Sequence, residues 1–160
     1  MLRVVRPDDA SAIAEIYNRY IAASPATFEE VPTTTDEMLR RILAITSHLP
    51  WLVCEEQGAL IGYSYASKWK DRSAYRFTVE ASVYLDPAWT GKRVGSALLG
   101  ALLEELRTRG LHSVIGGISL PNAASVALVE RFGFRQVSLF KDAGYKFGKW
   151  VDVGHWQLML

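Results

Sequence analysis

Two periods of hydrophobicity run along this chain, and the places where one gives way to the other mark its elements. Leu2 to Arg6 reads as a short strand closed by Pro7, with Asp8 or Asp9 as an N-cap carboxylate for the first helix. Ala10, Ile13, Ile16, Tyr17, Tyr20 and Ile21 then recur at helical spacing and give that helix one apolar face. Ser24 to Thr34 carries Pro25, Pro32 and several hydroxyl residues and reads as a loop. A second helix is expected near Thr35, with Glu37 and Arg40 or Arg41 on its wet side and Met38, Leu39, Ile42 and Leu43 free to pack.

Trp51 to Glu55 and Leu60 to Ala66 flank Gln57-Gly58, the signature of a β-hairpin turn. Lys68 to Arg76 is polar and basic with embedded aromatics, and reads as a loop. From Thr78 to Asp86 the period is two: Val79, Ala81, Val83 and Leu85 face one side, Glu80, Ser82, Tyr84 and Asp86 the other. Pro87 ends that strand. A long helix comes next, with Val94, Ala97, Leu98, Ala101, Leu102 and Leu106 on its apolar stripe and Gly110 beyond its end. Ser113 to Ile118 is an apolar strand, Asn122 caps a helix through Arg131, and Gly133 terminates it. Gln136 to Lys141 and Val151 to Met159 are closing strands.

The resulting order, β-α-α-β-β-β-α-β-α-β-β, alternates strand and helix in the middle and forms hairpins at both ends. The expected architecture is α/β: one domain over 1–160, built on a mixed central β-sheet of about seven strands with helices on both faces.

Composition narrows the function. The 160 residues are 49% hydrophobic and 22% charged, the balance of an ordinary globular protein. Eighteen Lys+Arg against seventeen Asp+Glu leave a net charge of +1, which offers no global field for nucleic acid or for an anionic membrane. No stretch approaches a membrane span, and Met1 to Asp9 puts charge where a signal peptide would need an apolar run, so none is expected. The single cysteine, Cys54, can form no intrachain disulfide and reads as a buried, inert thiol. No Cys/His cluster has metal-ligand spacing, so no metal is expected. The expectation is a cytoplasmic protein.

The candidate chemistry sits at the strand-to-helix junction from Val83 to Ala97. A helix N-terminus offers unpaired N–H groups and partial positive charge to a phosphate. Gly91 and Gly95 let a ligand approach the backbone, and Lys92 and Arg93 add cations. A P-loop is excluded, because Asp86 and Arg93 stand where it needs a glycine and a hydroxyl, and no G-x-G-x-x-G dinucleotide fingerprint is present.

Ser82-Val83-Tyr84-Leu85-Asp86-Pro87 followed by Thr90-Gly91-Lys92-Arg93-Val94-Gly95-Ser96 resembles the acetyl-CoA loop of the GNAT (GCN5-related N-acetyltransferase) family. Asn122 to Ser125, leading to Arg131-Phe132-Gly133-Phe134, is similar to that family's fourth helix. Gly144 to Leu158, Tyr75 to Glu80 and Pro50 to Val53 resemble the phosphinothricin and methionine sulfoximine acetyltransferases within it. The resemblance spans essentially the whole chain.

It implies an N-acetyltransferase that moves acetyl from acetyl-CoA to the primary amine of a small amino acid or analogue by direct attack. It also implies a homodimer. Glu80 corresponds to the subgroup's base and could equally anchor the substrate ammonium. Backbone groups of Val83, Tyr84 and Leu85 would pair with the pantetheine, and N–H groups across Gly91, Lys92, Arg93, Val94, Gly95 and Ser96 would hold the pyrophosphate. Asn122 and Ser125 would meet the cofactor arm. Lys70, Asp71, Arg72, Tyr75, Glu80, Ala81 and Ser82 match substrate-contacting positions, with Arg72 suited to a bidentate carboxylate or phosphinate clamp, and Phe28 is a further pocket-wall candidate.

Three departures accompany the resemblance. Thr90 stands for the usual Gln or Arg, Arg93 for a glycine, and Val129 for the Tyr or His that would protonate the departing thiolate. They motivate a second reading: an acyl-CoA-binding module that has lost turnover. His48, His112 and His155 are far apart in sequence, and His155 reads as packing or interface. Trp150 and Trp156 read as core or dimer contacts.

Overall fold

The computed structural model describes residues 1–160. Its elements are β1 (Leu2–Val4), α1 (Ala10–Ala23), α2 (Thr35–Thr46), β2 (Trp51–Glu56), β3 (Ala59–Lys68), β4 (Thr78–Leu85), α3 (Val94–Thr108), β5 (Ser113–Leu120), α4 (Ala123–Arg131), β6 (Arg135–Lys146) and β7 (Lys149–Met159). The element order is the one that the hydrophobic periods predict. One seven-stranded sheet runs β1-β2-β3-β4-β5-β7-β6. Only β4 and β5 are parallel, because α3 carries the chain back across the sheet between them; every other pair is antiparallel.

Each face of the sheet has its own core. On one face Leu98, Leu99, Leu102, Leu103 and Leu106 of α3 meet Val79, Val114, Ile118 and Trp156. Full burial of each such side chain contributes about 1.5–3 kcal/mol. On the other, Ile13, Ile16, Tyr17 and Ile21 of α1 and Met38 and Ile42 of α2 cover Trp51, Val53 and Tyr63. Cys54 is buried, as expected.

Several local expectations change. Asp9 does not cap α1 with its side chain: its carboxylate accepts from Arg6 N at 2.6 Å and pairs with Arg3 at 2.8 Å, fastening a 3₁₀ turn over Pro7–Asp9 to β1. Leu43 is 54% exposed rather than packed. The last two strands are longer than the alternation indicates and meet in a tight turn with left-handed residues at Phe147 and Gly148. Trp156 lies in the core, whereas Trp150 is 65% exposed.

The feature that positions a site is the geometry of β4 and β5. They pair at Thr78–Ser113, Val79–Val114 and Glu80–Ile115, and no further. Beyond Glu80 the strands part, and β5 continues against β7 through Leu120. The centre of the sheet is therefore an open wedge with its apex at Glu80.

Candidate active site

The wall of the wedge comes from β4. Asp86 N donates to Ile61 O, which makes Gly62–Leu85 a non-hydrogen-bonded pair in the β3–β4 ladder. Alternation then spends the backbone of Tyr84 on Tyr63 and turns the N–H and C=O of Val83 and Leu85 away from β3, into the wedge. Leu85 is already engaged there: the Tyr20 hydroxyl donates to its carbonyl at 2.8 Å and accepts from its N–H at 3.3 Å. Of the three backbone sites expected to receive pantetheine, Val83 alone presents both groups with no strand opposite. Tyr84 instead contributes its ring, edge-on to Tyr17 and Tyr20 at 5.3 and 5.1 Å.

At the wide end of the wedge lies the start of α3. Gly91 has φ 74° and Arg93, the N-cap residue, φ 65°. The left-handed Arg93 costs on the order of 1–2 kcal/mol that a glycine would not. The first turn of α3 holds no acidic residue and its N-cap makes no side-chain hydrogen bond. The leading N–H groups are thus left for an anion. Thr90 Oγ1 donates to Pro87 O at 2.9 Å and so closes the preceding turn, and Lys92 Nζ lies 4.5 Å from the Trp89 ring centroid. Gly95 is buried, and a Cβ there would make ordinary contacts with Leu128 at 3.4 Å and Leu85 at 3.6 Å. Ser96 Oγ accepts from Arg131 Nη1 at 3.3 Å.

On the far side, Asn122 Oδ1 caps α4 by accepting from Ser125 N at 3.1 Å. That bond occupies the oxygen of Asn122 and the N–H of Ser125, leaving the amide nitrogen and the hydroxyl for a ligand. Val129 packs beneath β5, where a Cβ on Gly116 would come within 3.9 Å of it. No proton donor comes from that position.

The opposite face at the apex is where Glu80 points. Half-buried, it shares that face with Ser82 and, across the strand, with Tyr65. Burial pushes the Glu80 carboxyl above its usual range, and nearby His155 and Lys70 pull it partly back. Lys70 lies 5.1 Å from the Trp69 ring centroid. Asp71, Arg72 and Tyr75 stand exposed on the loop between β3 and β4, where Ser73–Tyr75 forms one 3₁₀ turn. Ala81 points to the other face, into the α3 core.

Phe28 is fixed more firmly than a loop residue needs to be. Its ring lies flat against Gly144, where any Cβ would come within 2.2 Å. Its loop is clamped from beneath by buried Lys146, whose Nζ donates to Ser24 O at 2.7 Å and Thr27 O at 2.8 Å. Arg41 holds the neighbouring Glu29 bidentately at 2.7 and 2.9 Å.

Sequence reasoning missed His155. β7 inserts between β5 and β6, which puts His155 opposite Gly117, beside Glu80. Trp69, Ser138 and Phe140 gather around its ring. Only the strand order could have revealed this, since seventy-five positions of chain separate Glu80 from His155.

An acetyltransferase (GNAT) domain family model matches residues 2–155. A phosphinothricin N-acetyltransferase of Streptomyces viridochromogenes is 38% identical over 156 residues, covering 98% of this chain and 85% of that protein. An L-methionine sulfoximine/L-methionine sulfone acetyltransferase of Salmonella typhimurium is 37% identical over 99% of this chain and 94% of its own length. A solved phosphinothricin acetyltransferase from Sinorhizobium meliloti, in complex with acetyl-CoA, superposes with a TM-score of 0.97 at 39% identity, covering all of this chain and 88% of that one. These likenesses favour an enzyme over a binding module without turnover.

Proposed function

The chain belongs to the GNAT acetyltransferase family, and on that premise we propose that it acetylates the primary amine of a small amino acid or analogue of the phosphinothricin or methionine sulfoximine type. Acetyl-CoA supplies an acetyl thioester that an uncharged amine can attack. The observation that carries the reading is the place of Glu80, the last β4 residue paired with β5, at the point where the wedge opens.

The residues divide the work. Val83 would hold the pantetheine as a missing strand would, by its free N–H and C=O. The N–H groups from Gly91 to Ser96 would hold the pyrophosphate, with Lys92 and Arg93 beside it, and the free groups of Asn122 and Ser125 would meet the arm. Most of an amine is protonated at pH 7, so Glu80 would take a proton from it before attack. A carboxyl raised by burial suits that task better than an ordinary one. Ser82 and Tyr75 would border the acceptor, and Lys70 and Arg72 would face its carboxylate or phosphinate, with Asp71 beside them. Attack is direct, because no activated nucleophile stands at the apex to carry the acetyl group.

We further propose a homodimer working in the cytoplasm. The apolar surface of the β6–β7 hairpin supports the first: Val137, Leu139, Tyr145, Phe147 and Trp150 are all at least half exposed. A lone buried thiol supports the second, as does the lack of any helix long and apolar enough to cross a membrane. The function is tested by thiol release from acetyl-CoA across a panel of amino acids that includes phosphinothricin and methionine sulfoximine. A strong signal with one class of acceptor is expected, and silence across the panel would overturn the reading.

A further inference from the structure

His155 is held as a reactive imidazole is held. Its Nδ1 lies 2.8 Å from Ser138 Oγ, and Trp69 and Phe140 stand edge-on to its ring with centroids at 5.5 and 5.7 Å. Its Nε2 has no hydrogen bond within the protein. The free nitrogen faces the space over Gly117. A Cβ on Gly117 would stand 3.6 Å from His155 Nε2 and 3.4 Å from Glu80 Oε1. Gly117 is nonetheless exposed. One open spot in the middle of the sheet is thus bordered at once by a carboxylate oxygen and an imidazole nitrogen.

We propose that this spot is the seat of the acceptor nitrogen and that His155 is a second catalytic base beside Glu80, an inference that rests on the acetyltransfer reading above. The acceptor nitrogen sheds two protons in all. An ammonium group loses one proton to Glu80 so that its lone pair can attack the thioester carbon. Once the C–N bond has formed, the nitrogen still carries a surplus proton. His155 Nε2 takes it as the C–S bond breaks and its electron pair leaves on sulfur, which is protonated from solvent. For this, Nδ1–H donates to the Ser138 oxygen, which leaves the lone pair on Nε2. The charged or titratable groups facing His155 are Glu80 from β4 and, from the loop after β3, Lys70, with Tyr65 of β3 beyond Glu80.

The test uses the acceptor that the wild-type enzyme turns over, with acetyl-CoA-induced thermal shift as the control for folding. His155→Phe keeps the packing between Trp69 and Phe140, and is expected to lower kcat by about 100-fold with the KM for acetyl-CoA within about twofold. His155→Ala is expected to regain much of its rate on addition of free imidazole. Gly117→Ala, at a backbone position open to alanine with ordinary contacts, is expected to raise the acceptor KM at least about tenfold, because its methyl fills the seat. A His155→Phe enzyme with an undiminished kcat, a His155→Ala enzyme deaf to imidazole, or a Gly117→Ala enzyme with wild-type acceptor KM would each overturn the assignment while the acetyltransfer reading stands. A wild-type enzyme silent with every acceptor would overturn that reading, and this role with it.

Discussion

Helices α2 and α3 begin in opposite ways. At α2 the Thr34 hydroxyl accepts from Glu37 N at 3.1 Å, and Asp36 and Glu37 occupy the first turn. One leading N–H group is capped and the positive end is met by carboxylates from within the chain. At α3 the N-cap is a left-handed arginine with no capping bond, the first turn has no carboxylate, and Lys92 adds a further cation. The first arrangement stabilises the fold. The second gives up capping energy and takes on backbone strain, and keeps an electropositive ring of N–H groups beside the wedge. A local loss of stability with no structural compensation supports the proposal that a ligand supplies the missing partner here.

Four substitutions would break or sharpen this contrast. The largest effect is expected when α3 is made to resemble α2. Ser96→Asp places a carboxylate in the first turn, and its repulsion of the pyrophosphate should weaken acetyl-CoA binding by about 100-fold in calorimetry, while the ligand-free protein becomes no less stable. Thr34→Ala removes a cap that serves the fold alone. It should cost about 1 kcal/mol and lower Tm by about 2–4 °C, with acetyl-CoA affinity unchanged. Arg93→Gly should relieve the left-handed strain and raise Tm by a similar ~2–4 °C in the ligand-free protein.

The smallest effect concerns Glu80, where the same trade recurs as a buried charge. Burial raises its pKa in the folded protein above the usual carboxylate value of 4.5. The folded state therefore binds this proton more tightly than the unfolded chain does. Its contribution to stability is fully present below the unfolded pKa and is lost as pH rises through the folded one. Glu80→Gln should accordingly raise Tm slightly at pH 8 and not at pH 4, in parallel thermal melts.

Much of this was legible along the chain. Strict alternation from Thr78 to Asp86 puts Glu80 on the face opposite Val79 and Ala81, because the pleat has a period of two; which backbone groups face the wedge is set by the β3–β4 register, which spends those of Tyr84 on Tyr63. The resemblance sets Arg93 at a glycine position, and its φ of 65° is the left-handed conformation that glycine adopts without strain. What could not be read is non-local. The alternation ends the sixth strand at Lys141, yet β6 runs on to Lys146 through Gly144, where the Phe28 ring fills the space a side chain would need. The Asp9 carboxylate prefers Arg3 and the Arg6 N–H to a helix cap, a choice decided by the register of β1. The placement of His155 beside Glu80 comes from β7 entering the sheet between β5 and β6, which no periodicity encodes.

Glu80, at the apex of the wedge, is proposed to handle the acceptor's proton and to have no part in holding acetyl-CoA. The most direct test compares wild type and Glu80→Gln with one turned-over amino acid, reading kcat by thiol release and acetyl-CoA affinity by calorimetry. A fall in kcat of at least about 100-fold is expected, with affinity within about twofold. A Glu80→Gln enzyme that keeps its rate, or that loses acetyl-CoA binding in step with it, would contradict this role for Glu80.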